Sequence, residues 1–319
     1  MRSRNLRLLA STALAALLAA VVPAASAAPA ERELRPAALP RGANPAVPFV
    51  IGTTILDGDT RVKVDAAEVQ LLGTARGDYV AIVYPGGDRG RVERISPDGE
   101  RTIVRERFRG ELTLSRDGEH LFEALVGERP RTVVRVLDPV TGERTGRQEL
   151  RGYVRVLDAD GGRAVLGVTS PARTLTWDVD AGTTQRVVDR QAYFADIRAD
   201  RIGTYTRDVT QGGCSVLRPL SSPEEVLWRS CEQAVGAVSP DGRRVLARTI
   251  SLDGPIGYLW VRTGTGTLLA SYSAPTGFGH SAWEGPRSVV LTVQGSTRQA
   301  LVRCAAGDCE RASGLQPVP

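Results

Sequence analysis

A turn glycine that recurs about every 41 residues, short strand-like runs between the turns, and four cysteines in two close pairs together predict an all-β fold for this 319-residue chain. The turns fall in two interleaved registers. The first register contains Gly77, Gly118, Gly161, Gly242 and Gly285, and the second contains Gly58, Gly99, Gly142, Gly182, Gly264 and Gly307. A period of 40–45 residues filled by short strands is typical of propeller blades. The sequence therefore predicts a β-propeller.

One repeat shows how each predicted blade is built. The turn Ser239-Pro240-Asp241-Gly242 joins two strands: proline presets φ, aspartate hydrogen-bonds nearby backbone, and glycine accepts a positive φ. Four short strands joined in this way form one antiparallel blade. The order recurs between about Val69 and Ala312, which predicts six four-stranded blades, although the fourth repeat lacks turn glycines near Asp200 and Ser222. The strand-like runs of the repeat with this turn are Ala234–Val238, Arg243–Ile250, Tyr258–Thr263 and Leu268–Tyr272.

An extra hairpin precedes the six repeats. Its predicted strands, Phe49–Ile55 and Arg61–Val64, flank the turn Asp57-Gly58-Asp59. Two arrangements follow from this pattern. We favour the first, in which the hairpin adds to the last blade and closes the ring; in the alternative it builds an incomplete seventh blade. Closure matters because an open blade edge exposes unpaired backbone groups.

Residues 1–27 have the composition of a secretory signal peptide. Arg2, Arg4 and Arg7 precede the apolar run Leu8–Val22, and Ala25-Ser26-Ala27 offers a cleavage site. An uncleaved membrane anchor is the alternative. Because this segment holds three basic residues and no acidic one, its removal lowers the formal net charge from +5 to about +2. We expect a flexible, proline-containing leader over residues 28–47 and a single propeller domain over residues 48–319.

The turn motifs support a family resemblance. The run from Ser239 to Ala247, Ser-Pro-Asp-Gly-Arg-Arg-Val-Leu-Ala, resembles the repeat of WD40-like propellers related to TolB. Trp177-Asp178 matches the dipeptide that names WD40 repeats, but no Gly-His dipeptide opens each repeat. The resemblance implies a secreted propeller that contacts a protein or a ligand. It transfers no functional residue to this chain.

The cysteines are the sharpest local signal. Cys214 and Cys231 flank one predicted turn, and Cys304 and Cys309 flank another, so each pair lies on or beside neighbouring strands. A secreted chain meets an oxidising compartment, which favours two disulfides. A zinc site is the alternative, but the chain has only two histidines.

Two surface features are candidate binding sites. Arg105, Arg107 and Arg109 surround an aromatic residue between the first two repeats, a composition that suits an acidic partner or a polysaccharide. His280 and Trp283 lie in an aromatic loop that leads into the last repeat. The alternatives are a solvated outer strand for the arginines and burial against the next blade for the aromatic residues.

The sequence predicts no catalytic, metal or cofactor site. Acidic and basic residues alternate, which argues against a nucleic-acid partner, and no later segment is apolar enough to span a membrane. We expect a monomeric, non-enzymatic scaffold that binds a protein or polysaccharide at the cell envelope. The alternative is a propeller lyase or hydrolase that acts on extracellular glycans.

Overall fold

The computed structural model of the protein describes residues 30–127, 130–250, 254–305 and 307–318. The predicted signal segment, residues 1–27, lies outside this part of the chain. Strands dominate the described residues, which include two short 3-10 helices, Pro36–Ala38 and Val209–Gln211. No helix in the described ranges has the length and hydropathy needed to cross a membrane.

The described strands form one N-terminal strand, one three-stranded sheet and six four-stranded antiparallel blades. β1 is Glu31–Glu33, and the N-terminal sheet contains β2 (Phe49–Ile51), β3 (Thr54–Asp57) and β4 (Thr60–Lys63). Blade 1 contains β5 (Glu68–Ala75), β6 (Asp78–Tyr84), β7 (Arg91–Ile95) and β8 (Arg101–Arg105). Blade 2 contains β9 (Glu111–Leu114), β10 (Leu121–Val126), β11 (Arg131–Leu137) and β12 (Arg144–Arg151).

The later blades follow in chain order. Blade 3 contains β13 (Tyr153–Asp160), β14 (Arg163–Thr169), β15 (Arg173–Asp178) and β16 (Thr183–Val188). Blade 4 contains β17 (Ala192–Asp196), β18 (Arg201–Tyr205), β19 (Ser215–Pro219) and β20 (Trp228–Ser230). Blades 5 and 6 are built from β21 (Gln233–Val238), β22 (Arg244–Thr249), β23 (Ile256–Thr263), β24 (Leu268–Trp283), β25 (Ser288–Gln294), β26 (Arg298–Ala305) and β27 (Asp308–Arg311). β28 (Gln316–Pro317) pairs with β26.

β24 belongs to two blades. Residues 268–273 pair with β23 as the outer strand of blade 5, and residues 277–283 pair with β25 as the inner strand of blade 6. The two blades therefore form one continuous sheet. The prediction of six four-stranded blades is confirmed, with the last two joined through a shared strand.

Hydrophobic clusters between consecutive sheets close the ring. Phe122 of blade 2, for example, packs edge-on against Trp177 of blade 3, with ring centroids 5.9 Å apart. The N-terminal sheet fills the last gap, because Ile55 packs in a cluster with blade 1 and Phe49 packs with Val290 of blade 6. Each large apolar side chain buried in this way stabilises the fold by about 1.5–3 kcal/mol. Within the described ranges, these clusters connect every sheet to both of its neighbours.

The N-terminal sheet has three strands where the sequence predicts a two-stranded hairpin. The chain reverses at Gly52, whose φ of 61° is easily adopted only by glycine, so the predicted strand Phe49–Ile55 is divided into β2 and β3. The sheet pairs only within itself among the described strands and stands between blades 6 and 1. The structure therefore shows the incomplete seventh blade, and the favoured addition of a hairpin to the last blade is wrong, because no described strand of blade 6 pairs with this sheet.

The segment expected to be a flexible leader follows the outside of blades 5 and 6 from Glu31 onward. β1 pairs in parallel with residues 271–273 of β24. Leu34 is completely buried in the cluster between blades 5 and 6. Arg41 then forms a parallel bridge to Arg311 of β27. We call residues 31–41 the N-terminal strap.

The backbone conformation of the turns explains why glycine recurs at a regular spacing and why the fourth blade can do without it. Gly118 has a φ of 74°, and a Cβ there would lie 2.3 Å from the carbonyl oxygen of Thr74 in the neighbouring blade. In the fourth blade Asp200 takes the same left-handed conformation, with a φ of 55°. Its carboxylate accepts hydrogen bonds from the backbone N–H and the hydroxyl of Ser221, at 2.8 and 2.6 Å. Aspartate adopts this conformation more readily than most other residues, and the bonds to Ser221, 21 residues further along the chain, hold the turn there without glycine.

Candidate functional site

The innermost strand of each sheet borders the propeller axis, so the exposed side chains on these strands line the central channel. They include Glu68 and Gln70 on β5, Glu111 on β9, and Tyr153 and Arg155 on β13. This lining mixes carboxylates, an amide, a phenol and a guanidinium group. It suits polar recognition of a ligand.

Glu111 and Arg155 connect two neighbouring inner strands. The guanidinium group of Arg155 donates to both carboxylate oxygens of Glu111, with Nε–Oε2 at 2.9 Å and Nη2–Oε1 at 2.7 Å. Both side chains are more than half exposed, at 60% and 54%. An exposed pair of this kind contributes at most about 1 kcal/mol to folding. Its main effect is to neutralise the Glu111 charge in the channel.

A cleft opens beside the N-terminal sheet. β2, the inner strand of the N-terminal sheet, has three residues, whereas β5, the inner strand of blade 1, has eight. Because β2 is so short, it leaves part of the neighbouring inner strands uncovered. The resulting cleft between blade 6, the N-terminal sheet and blade 1 has a volume of about 580 Å³. Small-ligand sites commonly have volumes of 300–1,000 Å³. We call it the seam cleft. Its polar lining residues are Glu68, Gln70, His280, Thr292 and Gln294, and its apolar wall includes Val50 and Leu71, which pack together between the N-terminal sheet and blade 1.

His280, which the sequence singles out, lies in this cleft. It belongs to the inner strand of blade 6, and its ring packs against Phe49 of β2 with centroids 5.1 Å apart. His280 is exposed to solvent at the surface of the cleft. Protein atoms nevertheless surround much of the ring, and this desolvation lowers the pKa of His280 below the usual 6.5. The imidazole is therefore neutral at neutral pH, and one ring nitrogen acts as a hydrogen-bond acceptor.

Glu68 supplies the only acidic group among the described residues that line the cleft. The Gln70 amide donates to its Oε1 at 2.7 Å. Among the described residues, Glu68 forms no ion pair and no basic side chain lines the cleft. The carboxylate therefore retains an oxygen and an uncompensated charge for a ligand.

The arginine stretch runs from the end of blade 1 into the connection with blade 2, and none of its three arginines lines the seam cleft. Arg105 ends the outer strand β8, and its Nη2 donates to the carboxylate of Glu123 at 2.9 Å. The backbone N–H of Arg109 donates to the same carboxylate at 3.3 Å, and Glu123 is almost fully buried. Arg105 is thus held in a structural ion pair. The side chains of Arg107 and Arg109 remain exposed.

Trp283 and His280 occupy different environments although they are three residues apart. Trp283 ends β24 and is 9% exposed, within the hydrophobic cluster between blades 5 and 6. Its indole offers little surface to a ligand. The structure therefore brings only His280, of the sequence-predicted binding residues, into the seam cleft.

The four cysteines form the two predicted pairs. Cys214 is bonded to Cys231 across the outer hairpin of blade 4, where β19 and β20 pair. Cys304 is bonded to Cys309, and the two are register partners on β26 and β27 of blade 6. Both disulfides thus connect neighbouring outer strands, away from the channel.

A buried ion network that sequence reasoning missed joins three blades. Arg116 donates from Nε to Asp158 of blade 3 and from Nη2 to Asp196 of blade 4, both at 2.8 Å. The Asp158 carboxylate also accepts the backbone N–H of Ile197 at 2.6 Å. The two carboxylates are almost completely buried. The network fixes blades 2, 3 and 4 at the end of the inner strands.

The sequence contains a partial signal for this network. Asp158 stands in the pattern Asp158-Ala159-Asp160-Gly161, which reads as turn chemistry or a weak calcium motif. Strand pairing places Asp158 before the turn and inside the protein. Among the described residues, no group of three or more His, Cys, Asp or Glu side chains is placed to hold a metal ion.

Comparisons with known proteins agree with the β-propeller architecture. The β-propeller domain of the trilobed protease from Pyrococcus furiosus matches with a TM-score of 0.55 and 12% identity, over 85% of this chain and 98% of that one. The Cps50 (Swd1) β-propeller domain of Myceliophteria thermophila matches with a TM-score of 0.51 and 13% identity, over 87% and 90%. Hsv2 of Kluyvelomyces marxianus matches with a TM-score of 0.53 and 12% identity, over 84% and 95%.

These similarities show that the chain is a β-propeller, and at such low identity they show the fold alone. No protein-family model matches the chain, and no curated protein is significantly similar to it in sequence. The function must therefore be argued from the residues of the site.

Proposed function

We propose that this protein is a secreted, non-enzymatic binding scaffold of the WD40-like, TolB-related type, and that its ligand binds in the seam cleft. The cleft carries the proposal: it joins an apolar wall to several convergent polar groups, an arrangement typical of ligand sites. Its position at the channel lets a partner approach along the axis. The partner is a protein or a polysaccharide of the cell envelope.

Secretion is supported by two independent features. The composition of residues 1–27 is that of a signal peptide. Two disulfides suit an oxidising compartment. Sequencing of the N-terminus of the protein recovered from the culture medium or envelope would test this part. We expect the mature chain to begin at Ala28.

The binding role is tested by filling the cleft. Gln70→Trp places a large ring at a lining residue that is exposed and outside the hydrophobic core. Gln185→Trp is the matched control, because Gln185 is an exposed strand residue on the outer strand of blade 3. The immobilised proteins are compared for retention of peptides and glycans from defined libraries. We expect Gln70→Trp to abolish retention and Gln185→Trp to preserve it. Equal retention by both variants would rule out the seam cleft.

A further inference from the structure

The charge of the seam cleft identifies a class of ligand. Glu68 is the single charged side chain among the described lining residues, and its negative charge has no cationic partner there. An anionic ligand would meet this carboxylate without compensation, which disfavours acidic peptides and acidic glycans. The nearby Glu111 carboxylate is already neutralised by Arg155 and does not compete for a cation.

The rest of the lining suits a long basic side chain. Val50 and Leu71, which pack in the cluster between the N-terminal sheet and blade 1, offer an aliphatic surface against which a methylene stem packs while its charged end reaches the polar groups. An ammonium group donates three hydrogen bonds and a guanidinium group donates up to five. Glu68, the neutral His280 ring and the Gln294 amide oxygen are acceptors in the same cleft. Phe49 is 1% exposed, so it presents no open aromatic face for stacking on a sugar ring.

We propose that the seam cleft binds a lysine or arginine side chain of a basic peptide segment, with Glu68 as the charge-recognising residue. This inference rests on the proposed function, because it names the ligand class of the same site. Glu68 is exposed, so its replacement leaves the hydrophobic clusters of the fold intact.

The test uses the mature protein and short capped peptides in calorimetric titrations. The probes are acetyl-Gly-Lys-Gly-amide, the arginine analogue, and the norleucine analogue, which keeps the stem and lacks the charge. We expect the basic peptides to bind at least about tenfold more tightly than the norleucine peptide, since charge-assisted hydrogen bonds to a carboxylate are lost in the latter. Glu68→Gln should weaken binding of the basic peptides about ten- to hundredfold and leave the norleucine peptide unchanged.

Glu111→Gln is the matched control variant. It removes a carboxylate from the same channel but outside the cleft, and we expect less than a threefold change. Equal affinity for the lysine and norleucine peptides, or no effect of Glu68→Gln, would overturn the inference. Preferential binding of a neutral oligosaccharide that tolerates Glu68→Gln would also overturn it.

The two proposals fail in different ways. If Gln70→Trp abolishes retention of a ligand that shows no preference for basic groups, the cleft is a binding site and the inference about Glu68 is wrong. If Gln70→Trp leaves ligand retention intact, the proposed function itself is wrong. Thermal unfolding of each variant, compared with the wild type, verifies that the propeller remains folded.

Discussion

Replacement of Arg116 tests how much the buried network stabilises the propeller. Arg116→Met keeps most of the aliphatic stem and leaves Asp158 and Asp196 without their shared cation. Each lost charge-assisted hydrogen bond is worth about 1.5–3 kcal/mol. Breaking a buried ion pair costs about 3–5 kcal/mol, because the remaining charge stays uncompensated. The Arg116 side chain is 38% exposed, so solvent screens part of this loss, and we expect a net loss of about 3 kcal/mol.

Differential scanning calorimetry at pH 7 measures the effect. A loss of about 3 kcal/mol corresponds to a Tm lower by about 5 °C for a domain of this size. Arg155→Met is the matched control, because Arg155 also forms a two-point ion pair but with both partners exposed. The control should lose less than about 1 kcal/mol. Equal shifts in the two variants would refute the argument from burial.

The pH dependence of the same variant gives a second readout. Burial raises the pKa of the Asp158 carboxyl above its usual 3.8, and the cation of Arg116 opposes that rise. Loss of Arg116 therefore raises the pKa of Asp158 further. A carboxyl whose folded pKa is raised contributes stability below pH 3.8, and this contribution is lost as the pH rises through the folded value. The deficit of Arg116→Met relative to the wild type should be largest at pH 7 and shrink toward pH 4.

Three further predictions concern His280, the longer disulfide and the strap. Desolvation lowers the pKa of His280 in the folded protein below 6.5. As the pH drops below 6.5, His280 is therefore protonated in the unfolded chain before it is protonated in the folded protein, and the stability of the wild type falls. His280→Gln should reduce the difference in Tm between about pH 7.5 and about pH 5, and an unchanged difference would contradict this cause. Replacement of both Cys214 and Cys231 by serine removes a disulfide with a sequence separation of 17. We expect the free energy of unfolding, measured in urea, to fall by about 3 kcal/mol because the unfolded chain is no longer cross-linked. A negligible change would contradict the loop-closure explanation. Leu34→Ala should cost about 2–4 kcal/mol, because the side chain is completely buried; wild-type stability would show that the strap contributes nothing.

The blade architecture can be predicted from the sequence because each turn depends on residues that are adjacent in the chain. Gly118 is required both by its positive φ and by the nearby Thr74 carbonyl, so a glycine at that spacing carries structural information. The disulfide pairs can be predicted for the same reason, because the two cysteines of each pair lie on or beside the strands of one hairpin and are therefore close in sequence. Asp200 shows the limit of this signal, because it adopts the left-handed turn conformation without glycine.

The candidate site depends on contacts that local patterns do not encode. His280 and Phe49 meet only because the first and last sheets of the ring are neighbours. Arg116 is 42 residues from Asp158 and 80 residues from Asp196, and no short motif connects them. The sequence predicts a hairpin where the structure has three strands, because Gly52 stands between the β-branched residues Ile51 and Thr53 and has no proline, aspartate or asparagine beside it to mark a turn.

The position of the N-terminal strap has a consequence for biogenesis. Arg32 donates a hydrogen bond to the carbonyl of Gly307, a residue 275 positions further along the chain, and Leu34 is buried between the last two blades. Residues 31–34 therefore have no docking surface until blades 5 and 6 have been synthesised. Closure of the ring must follow synthesis of blade 6, so a chain truncated before that blade would bury Leu34 against blade 5 only and leave its N-terminal sheet covered on one face.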